Sequence, residues 1–571
     1  MQAAPSPLPD AAGLRARLAR GFPPFCSSGL LVGATFFLAS LTPGLVPRSA
    51  SAQALLSGAC LAVGYGLGVL FRGLWKYLEM PLPRAVVDGR ARKAAIVISA
   101  AIFALGLWLG QAWNEVMTDL MHLPPAGASR VPIVGLGALL MAMVLLSLGR
   151  GATKLARGGA ALAARHLPRR VANLLGGIGA ALLLIGLVNG VIVRSALNLL
   201  DSSYRTADEL IPPDKARPRE PERPGSPSSL VAWEDLGGMG RRFVAATPTA
   251  EALREFAGPM AQAPLRVYAG LPAADSPEAR ARLALAELKR VEGFSRAALL
   301  IITPTGTGWV DPAAIDSIEY LYRGDIASVA VQYSYLSSPL TLLVDPETGA
   351  ATARALFREV YGYWRTLPRG QRPKLYLHGL SLGAFNSERS FDMFELLEDP
   401  VDGALWSGPP FASVHWRALT KGRNPGTPIW RPAFRDGAFV RFMNQDGSGT
   451  PRGTPWGPMR IVYLQYASDA ITFFDPRGFF RKPGWLDEPR GPDVSARMRW
   501  IPIVTMTQTA LDMPLSMDAP MGFGHVYSPA HYIDAWLEVT GIEDWPPEEL
   551  ARLRRHLDER QMRQADEPGG G

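Results

Sequence analysis

Five stretches without a single Asp, Glu, Lys or Arg crowd the first third of this chain, at residues 21–47, 49–71, 94–114, 131–149 and 171–193. Each supplies the roughly 20 apolar residues that a membrane-crossing helix needs. One charge at a helix centre would cost roughly 2.5–3.5 kcal/mol on the insertion scale, and none is present. Buried helices of a soluble domain, or a signal peptide for the first run, are the alternatives. Five such runs in series favour a five-span domain over residues 27–200, preceded by a short N-terminal segment, 1–26.

The charged loops carry an orientation. Arg15, Arg17 and Arg20 precede the first run. Arg72, Lys76, Arg84, Arg90, Arg92 and Lys93 separate the second and third, and Arg150, Lys154, Arg157, Arg165, Arg169 and Arg170 the fourth and fifth. The other two loops hold only Arg48 and Arg130. Lys/Arg-rich loops face the cytoplasm. The expectation is a multi-pass protein of the inner (cytoplasmic) membrane with its N-terminus in the cytoplasm. Five crossings then put everything after Arg194 on the extracytoplasmic side.

The same loops account for the basic balance. Residues 1–200 carry 18 Lys/Arg against 5 Asp/Glu, a net of +13, so the remainder of a chain totalling +8 carries −5. The positive charge is a topology signal, and nucleic-acid binding loses its main support. Both cysteines, Cys26 and Cys60, lie in the first two runs. The exported part therefore gains no disulfide and offers no thiolate. No H-E-x-x-H, paired-cysteine or EF-hand spacing is visible, so neither a metal nor a cofactor is expected.

Residues 201–229 end in a Pro- and charge-rich stretch, IPPDKARPREPERPGSPSS, that reads as an extended linker. A globular domain follows over 230–545, then a charged helical tail, 546–571. Short β-type runs (265–268, 297–302, 328–332, 374–378, 403–406, 460–465 and 500–505) alternate with helical patterns (277–290, 312–323, 346–366 and 382–397). Such alternation predicts a mainly parallel sheet flanked by helices. The segment 409–458, rich in Pro, Gly, Arg and Trp, reads either as a lid or substrate wall or as an ordinary surface excursion.

Gly379-Leu380-Ser381-Leu382-Gly383 sits where the 374–378 run gives way to a helical pattern. Strand, G-x-S-x-G, helix is the nucleophile elbow of α/β-hydrolases, in which small residues allow a sharp turn that lifts the serine hydroxyl above the sheet. The hydroxyl needs a histidine to take its proton and an acid to orient that histidine, here in the order Ser, Asp/Glu, His. Asp469 stands at the end of the 460–465 run, and His525 in a Gly-rich loop, Gly522-Phe523-Gly524-His525. Asp469 could instead only cap a helix, with Asp475 as alternative acid. His531 begins a helical run, and His378 and His415 precede any acid, so structural roles suit all three. The oxyanion hole needs two N–H donors. Leu382, after the nucleophile, is one, and Thr305 or Gly306, in the loop Thr303-Pro304-Thr305-Gly306-Thr307-Gly308-Trp309, supplies the other. A phosphate-binding reading of those glycines lacks a Walker lysine.

At this point the chain resembles bacterial membrane proteins that pair an N-terminal multi-span domain with a C-terminal α/β-hydrolase domain. The resemblance is carried by LTPGLVPR (41–48), TPTGTGWVDP (303–312), QYSYL (332–336), DGALWSGPP (402–410), YLQYASD (463–469) and EPRGPDV (488–494). It implies a hydrolase fold and a membrane location. Relatives often carry Glu where this chain has Leu380, and Gly-His-Gly-His where it has Phe523 in place of the first histidine. Neither departure touches Ser381, Asp469 or His525, and either one alters pocket polarity.

The reading is a membrane-tethered serine hydrolase acting outside the cytoplasm. Its expected partners are membrane lipids and an ester substrate, a lipid or envelope acyl ester by location. A silent binding or scaffold protein on the same fold is the alternative from another class. Coupling to lipid transport is a third, disfavoured because intramembrane charges commonly mark translocation pathways and none is present here.

Overall fold

A computed structural model describes residues 25–81, 85–186, 208, 217–338, 340–341, 346–451 and 453–566. The chain divides into two compact units. One comprises Met1–Pro43, Pro47–Leu155 and Arg497–Gln508; the other comprises Gly44–Val46, Ala156–Ala496 and Thr509–Gly571.

Among the described residues, three helices are long and apolar enough to cross a membrane: Ala50–Tyr77, Gly89–Leu120 and Arg130–Ala163. The first uncharged run yields only the shorter apolar helix Ser27–Ser40. It stops before Pro43 and Gly44, which cannot continue a helix cheaply, and at 1.5 Å per residue it spans about 21 Å, short of a bilayer core. Helix Arg169–Ile185 covers the start of the fifth run; the rest of that run, the N-terminal 24 residues and most of the linker lie outside the described residues. Small residues bring these helices together. A Cβ on Gly58 would stand 2.6 Å from Ala138 O, and one on Gly68 2.5 Å from Ser28 O, so both glycines permit close backbone approach.

The second unit is built on an eight-stranded sheet. Its strands are β1 (Leu265–Ala269), β2 (Ala298–Thr303), β3 (Ile326–Val331), β4 (Lys374–Leu380), β5 (Gly403–Ser407), β6 (Val440–Asn444), β7 (Gly447–Ser448) and β8 (Arg460–Leu464), in the order β1-β3-β2-β4-β5-β8-β6-β7. All pairings are parallel except the β6–β7 hairpin. The central strands are buried on both faces, which is why they read as continuous apolar runs and not as alternating ones. Helices Pro277–Arg290 and Pro346–Thr366 cover one face; Pro312–Leu321, Pro529–Thr540 and Pro547–Asp566 cover the other. The architecture is an α/β-hydrolase sheet.

Two elements depart from the expected ones. Residues 500–505 form no strand: Pro502 lacks a ladder donor, Ile503 takes φ +67°, and a helix, Val504–Leu515, begins at once. Conversely, 409–458 contributes β6 and β7 to the sheet. Two of its tryptophans are buried against segments beyond it, Trp416 Nε1 donating to Gln465 Oε1 at 2.6 Å and Trp430 Nε1 to Pro489 O at 2.9 Å.

The unit reaches beyond the expected 230–545 domain. Leu553 and Leu557 of helix Pro547–Asp566 belong to its hydrophobic core. Asp316, which with Glu319 neutralises the buried Arg266 of β1, also pairs with Arg560 at 3.1 Å. At its other extreme Leu45 is fully buried, and its N–H donates to Asp512 Oδ2 at 3.0 Å.

Candidate active site

β4 ends at the elbow. Ser381 has φ +56° and ψ −123°, a conformation that costs of order 1–3 kcal/mol for a residue with a side chain. Its own N–H is held by Ser407 O at 2.9 Å. The turn closes because its flanks lack side chains: a Cβ on Gly379 would collide with Gly383, and one on Gly383 with Thr303 O. Leu382 opens the helix Leu382–Ser387. At that first position its N–H has no intrahelical acceptor.

β8 delivers Asp469, fully buried. The carboxyl group has two jobs, one per oxygen. Oδ1 caps the short helix Ala470–Phe473, accepting from Ile471 N at 2.9 Å and Thr472 N at 3.3 Å. Oδ2 accepts from His525 Nδ1 at 2.7 Å, Tyr527 Oη at 2.8 Å and Thr472 Oγ1 at 3.2 Å. Capping and histidine binding therefore coexist in one residue. Burial, and Asp469 beside it, push the Tyr527 phenol well above its usual range, so it stays a donor.

His525 is buried, with its N–H fixed by Ser516 O at 2.8 Å. With Nδ1–H committed to Asp469, Nε2 carries the lone pair. That atom is buried and has no hydrogen-bond partner among the described residues. The ring lies against Gly408 (φ +48°), where a Cβ would stand 2.5 Å from Cε1. Since Ser381 N–H is bonded to Ser407 and the imidazole sits on Gly408, one dipeptide at the end of β5 gathers both groups.

The loop after β2 lies beside the elbow, with Thr303 O and Pro304 O next to Gly383. Thr305 N–H donates to Trp309 O at 2.9 Å and Gly306 N–H to Ser338 Oγ at 3.1 Å. Both expected donors are thus engaged in this structure, and Leu382 N–H is the one positioned by a helix start.

The competing residues sit elsewhere. Asp475 caps Arg477 N, and His531 Nδ1 is paired with Tyr466 Oη at 2.6 Å. His378 is bonded to Leu405 O, and burial lowers its pKa to about 4, so it stays neutral. Sequence reasoning missed Tyr527, Thr472 and Gly408; the glycine in Ser407-Gly408-Pro409-Pro410 was the available signal for the last.

Just past helix Leu382–Ser387, burial pushes Glu388 up to about 7. Its Oε2 accepts from Tyr463 Oη at 3.0 Å. The folded state then holds this proton more tightly than an unfolded chain, so the stabilisation is complete below the ordinary carboxyl pKa and is lost as pH rises through about 7. The full-length protein should lose about 3 kcal/mol of stability across that window. Glu388→Gln should flatten the dependence of Tm on pH; an unchanged slope would exclude Glu388 as its source.

A parallel sheet with a serine elbow after β4, an acid after β8 and a histidine on a later loop defines an α/β-hydrolase architecture. Residues 265–553 match the Alpha/beta-hydrolase family and residues 41–248 match the Alpha/beta-hydrolase family N-terminus. The chain belongs to this family. Neither a curated protein nor a solved structure matches it.

Proposed function

We propose that the protein is a membrane-tethered serine hydrolase that cleaves an ester through an acyl-enzyme. The observation that carries this is the histidine: Nδ1 is locked on Asp469 Oδ2 at 2.7 Å, and Nε2 is buried and open to accept a proton. In this reading Ser381 Oγ attacks the acyl carbonyl as its proton passes to His525 Nε2. Leu382 N–H, joined by Thr305 or Gly306 N–H once the loop releases it, stabilises the oxyanion. Collapse of the tetrahedral intermediate expels the alcohol, which takes the proton from His525; water then repeats the cycle on the acyl-serine. The Lys/Arg-rich loops support a cytoplasmic N-terminus, and an odd number of crossings, the five uncharged runs, then makes the catalytic unit extracytoplasmic; this needs helix Ser27–Ser40 and its flanks to complete the first crossing. A lipid or envelope ester is the substrate class that such a location favours.

The engaged N–H groups of Thr305 and Gly306 favour a second reading, a binding or scaffold protein that keeps the fold without turnover. Full-length protein in detergent, assayed on p-nitrophenyl esters from short to long chains, separates the two. Hydrolysis that disappears in Ser381→Ala supports the enzyme. Rates equal in wild type and Ser381→Ala across all chain lengths contradict it.

A further inference from the structure

Asp469 and His525 are 56 residues apart, yet the residues immediately before them, Ser468 and Gly524, are joined directly: Gly524 N–H donates to Ser468 Oγ at 2.8 Å. A hydroxyl has one proton. Its ability to accept from Gly524 with good direction depends on where that proton goes, and it goes to a second buried acid. Asp493 Oδ2 accepts from Ser468 Oγ at 2.6 Å and from Ser468 N at 2.9 Å. The same oxygen accepts from Gln445 Nε2 at 3.1 Å, and that amide also donates to Gly522 O at 3.1 Å. Asp493 and Ser468 are 2 % and 0 % exposed.

We propose that Asp493 is a positioning residue for the Asp469–His525 pair: by fixing Ser468 and, through Gln445, Gly522, it clamps the chain segments that present the acid and the histidine. This rests on the serine hydrolase reading above. Asp493 touches neither reacting atom. It lies downstream of Asp469, between the short turn Gly484–Leu486 and helix Val504–Leu515, and it converges with the turn after β6 through Gln445. The convergence gives that turn a role: Gln445 spans from Asp493 to the histidine loop. The histidine loop closes on itself, Gly522 N–H donating to Val526 O at 2.9 Å and Val526 N–H to Phe523 O at 3.1 Å, and the links to Ser468 and Gln445 tie that closed turn to the segment carrying Asp469. Misplacement of a catalytic group by about 1 Å costs on the order of 10²-fold in rate.

The test uses full-length protein in detergent and the ester on which the wild type turns over. Ser381→Ala serves as the control for the hydrolase reading itself: if it retains the wild-type rate, that reading fails, and the positioning claim with it. If Ser381→Ala is inactive, the clamp is judged by Asp493→Ala, Asp493→Asn and Ser468→Ala. Asp493→Ala should lower kcat on the order of 10²-fold with KM within about threefold. Asp493→Asn, whose amide oxygen can still accept from Ser468, should recover to within about fivefold of wild type. Ser468→Ala, which leaves the Asp493–Gln445–Gly522 link in place, should lose activity but no more than Asp493→Ala, and the double variant should lose no more than Asp493→Ala alone, because that substitution already removes both links. A kcat within threefold of wild type in Asp493→Ala overturns the proposal. So does an Asp493→Asn loss equal to the alanine's, or losses at Ser468 and Asp493 that multiply independently.

Discussion

Asp469→Asn should lower kcat by about 10⁴-fold while leaving the protein folded. The magnitude follows from how the five donors around this carboxyl group are shared. Two of them, Ile471 N and Thr472 N, are backbone groups that can only donate. An asparagine must turn its carbonyl oxygen toward those two and its NH₂ toward the cluster of His525, Tyr527 and Thr472 Oγ1. The hydroxyls of Tyr527 and Thr472 can rotate to accept from that amide. His525 can accept only by moving its proton from Nδ1 to Nε2, the tautomer that cannot take the proton of Ser381. The cap on helix Ala470–Phe473 survives, so Tm should fall by only a few degrees. A kcat within tenfold of wild type would mean that Asp469 caps a helix and does nothing for the histidine.

The second large effect is expected at Gly408. An alanine there carries a Cβ 2.5 Å from His525 Cε1, 2.9 Å from Nδ1 and 3.0 Å from Tyr527 Cε2, on a backbone with φ +48°. None of these neighbours is the free end of a flexible chain; the imidazole is pinned through Asp469 and the phenol is buried. The ring must move, and Gly408→Ala should cost on the order of 10²-fold in kcat together with about 1–3 kcal/mol of stability for the left-handed backbone. Steady-state kinetics and thermal unfolding of the full-length variant test this. Wild-type kcat would show that the ring does not rest on Gly408 in solution.

Much of the fold was legible because buried parallel strands announce themselves. The apolar runs at β1, β2, β3, β4, β5 and β8 needed no alternation to be seen. β6 was not read as a strand; its Arg441 is buried against Glu538 at 2.7 Å, Gly437 O, Thr454 O and the ring of Trp456, contacts that only the folded chain makes. Residues 500–505 misled for the opposite reason: Ile, Val and Thr have strand propensity, but Pro502 and the backbone reversal at Ile503 decide the outcome. In the membrane part, absence of charge marked the apolar runs but not their helical lengths, because Pro43 and Gly44 end the first helix at Ser40 inside an unbroken uncharged run.

The site divides along the same line. Ser381, Asp469 and His525 could be singled out as candidates because a glycine turn, a strand end and a glycine-flanked loop are local signals. Tyr527, Gly408 and Asp493 were not, since each matters only through a contact made across folded segments. The loop over residues 303–309 lies between these cases. Its glycines located the segment, but which N–H groups are spare depends on Trp309 O and Ser338 Oγ.

The central claim is that Ser381 is a nucleophile, and covalent trapping tests it most directly. Full-length wild-type protein treated with a fluorophosphonate should gain one adduct, located by peptide mass spectrometry on Ser381, and Ser381→Ala should gain none. Equal labelling of the two proteins, or an adduct on any other residue, would contradict the account.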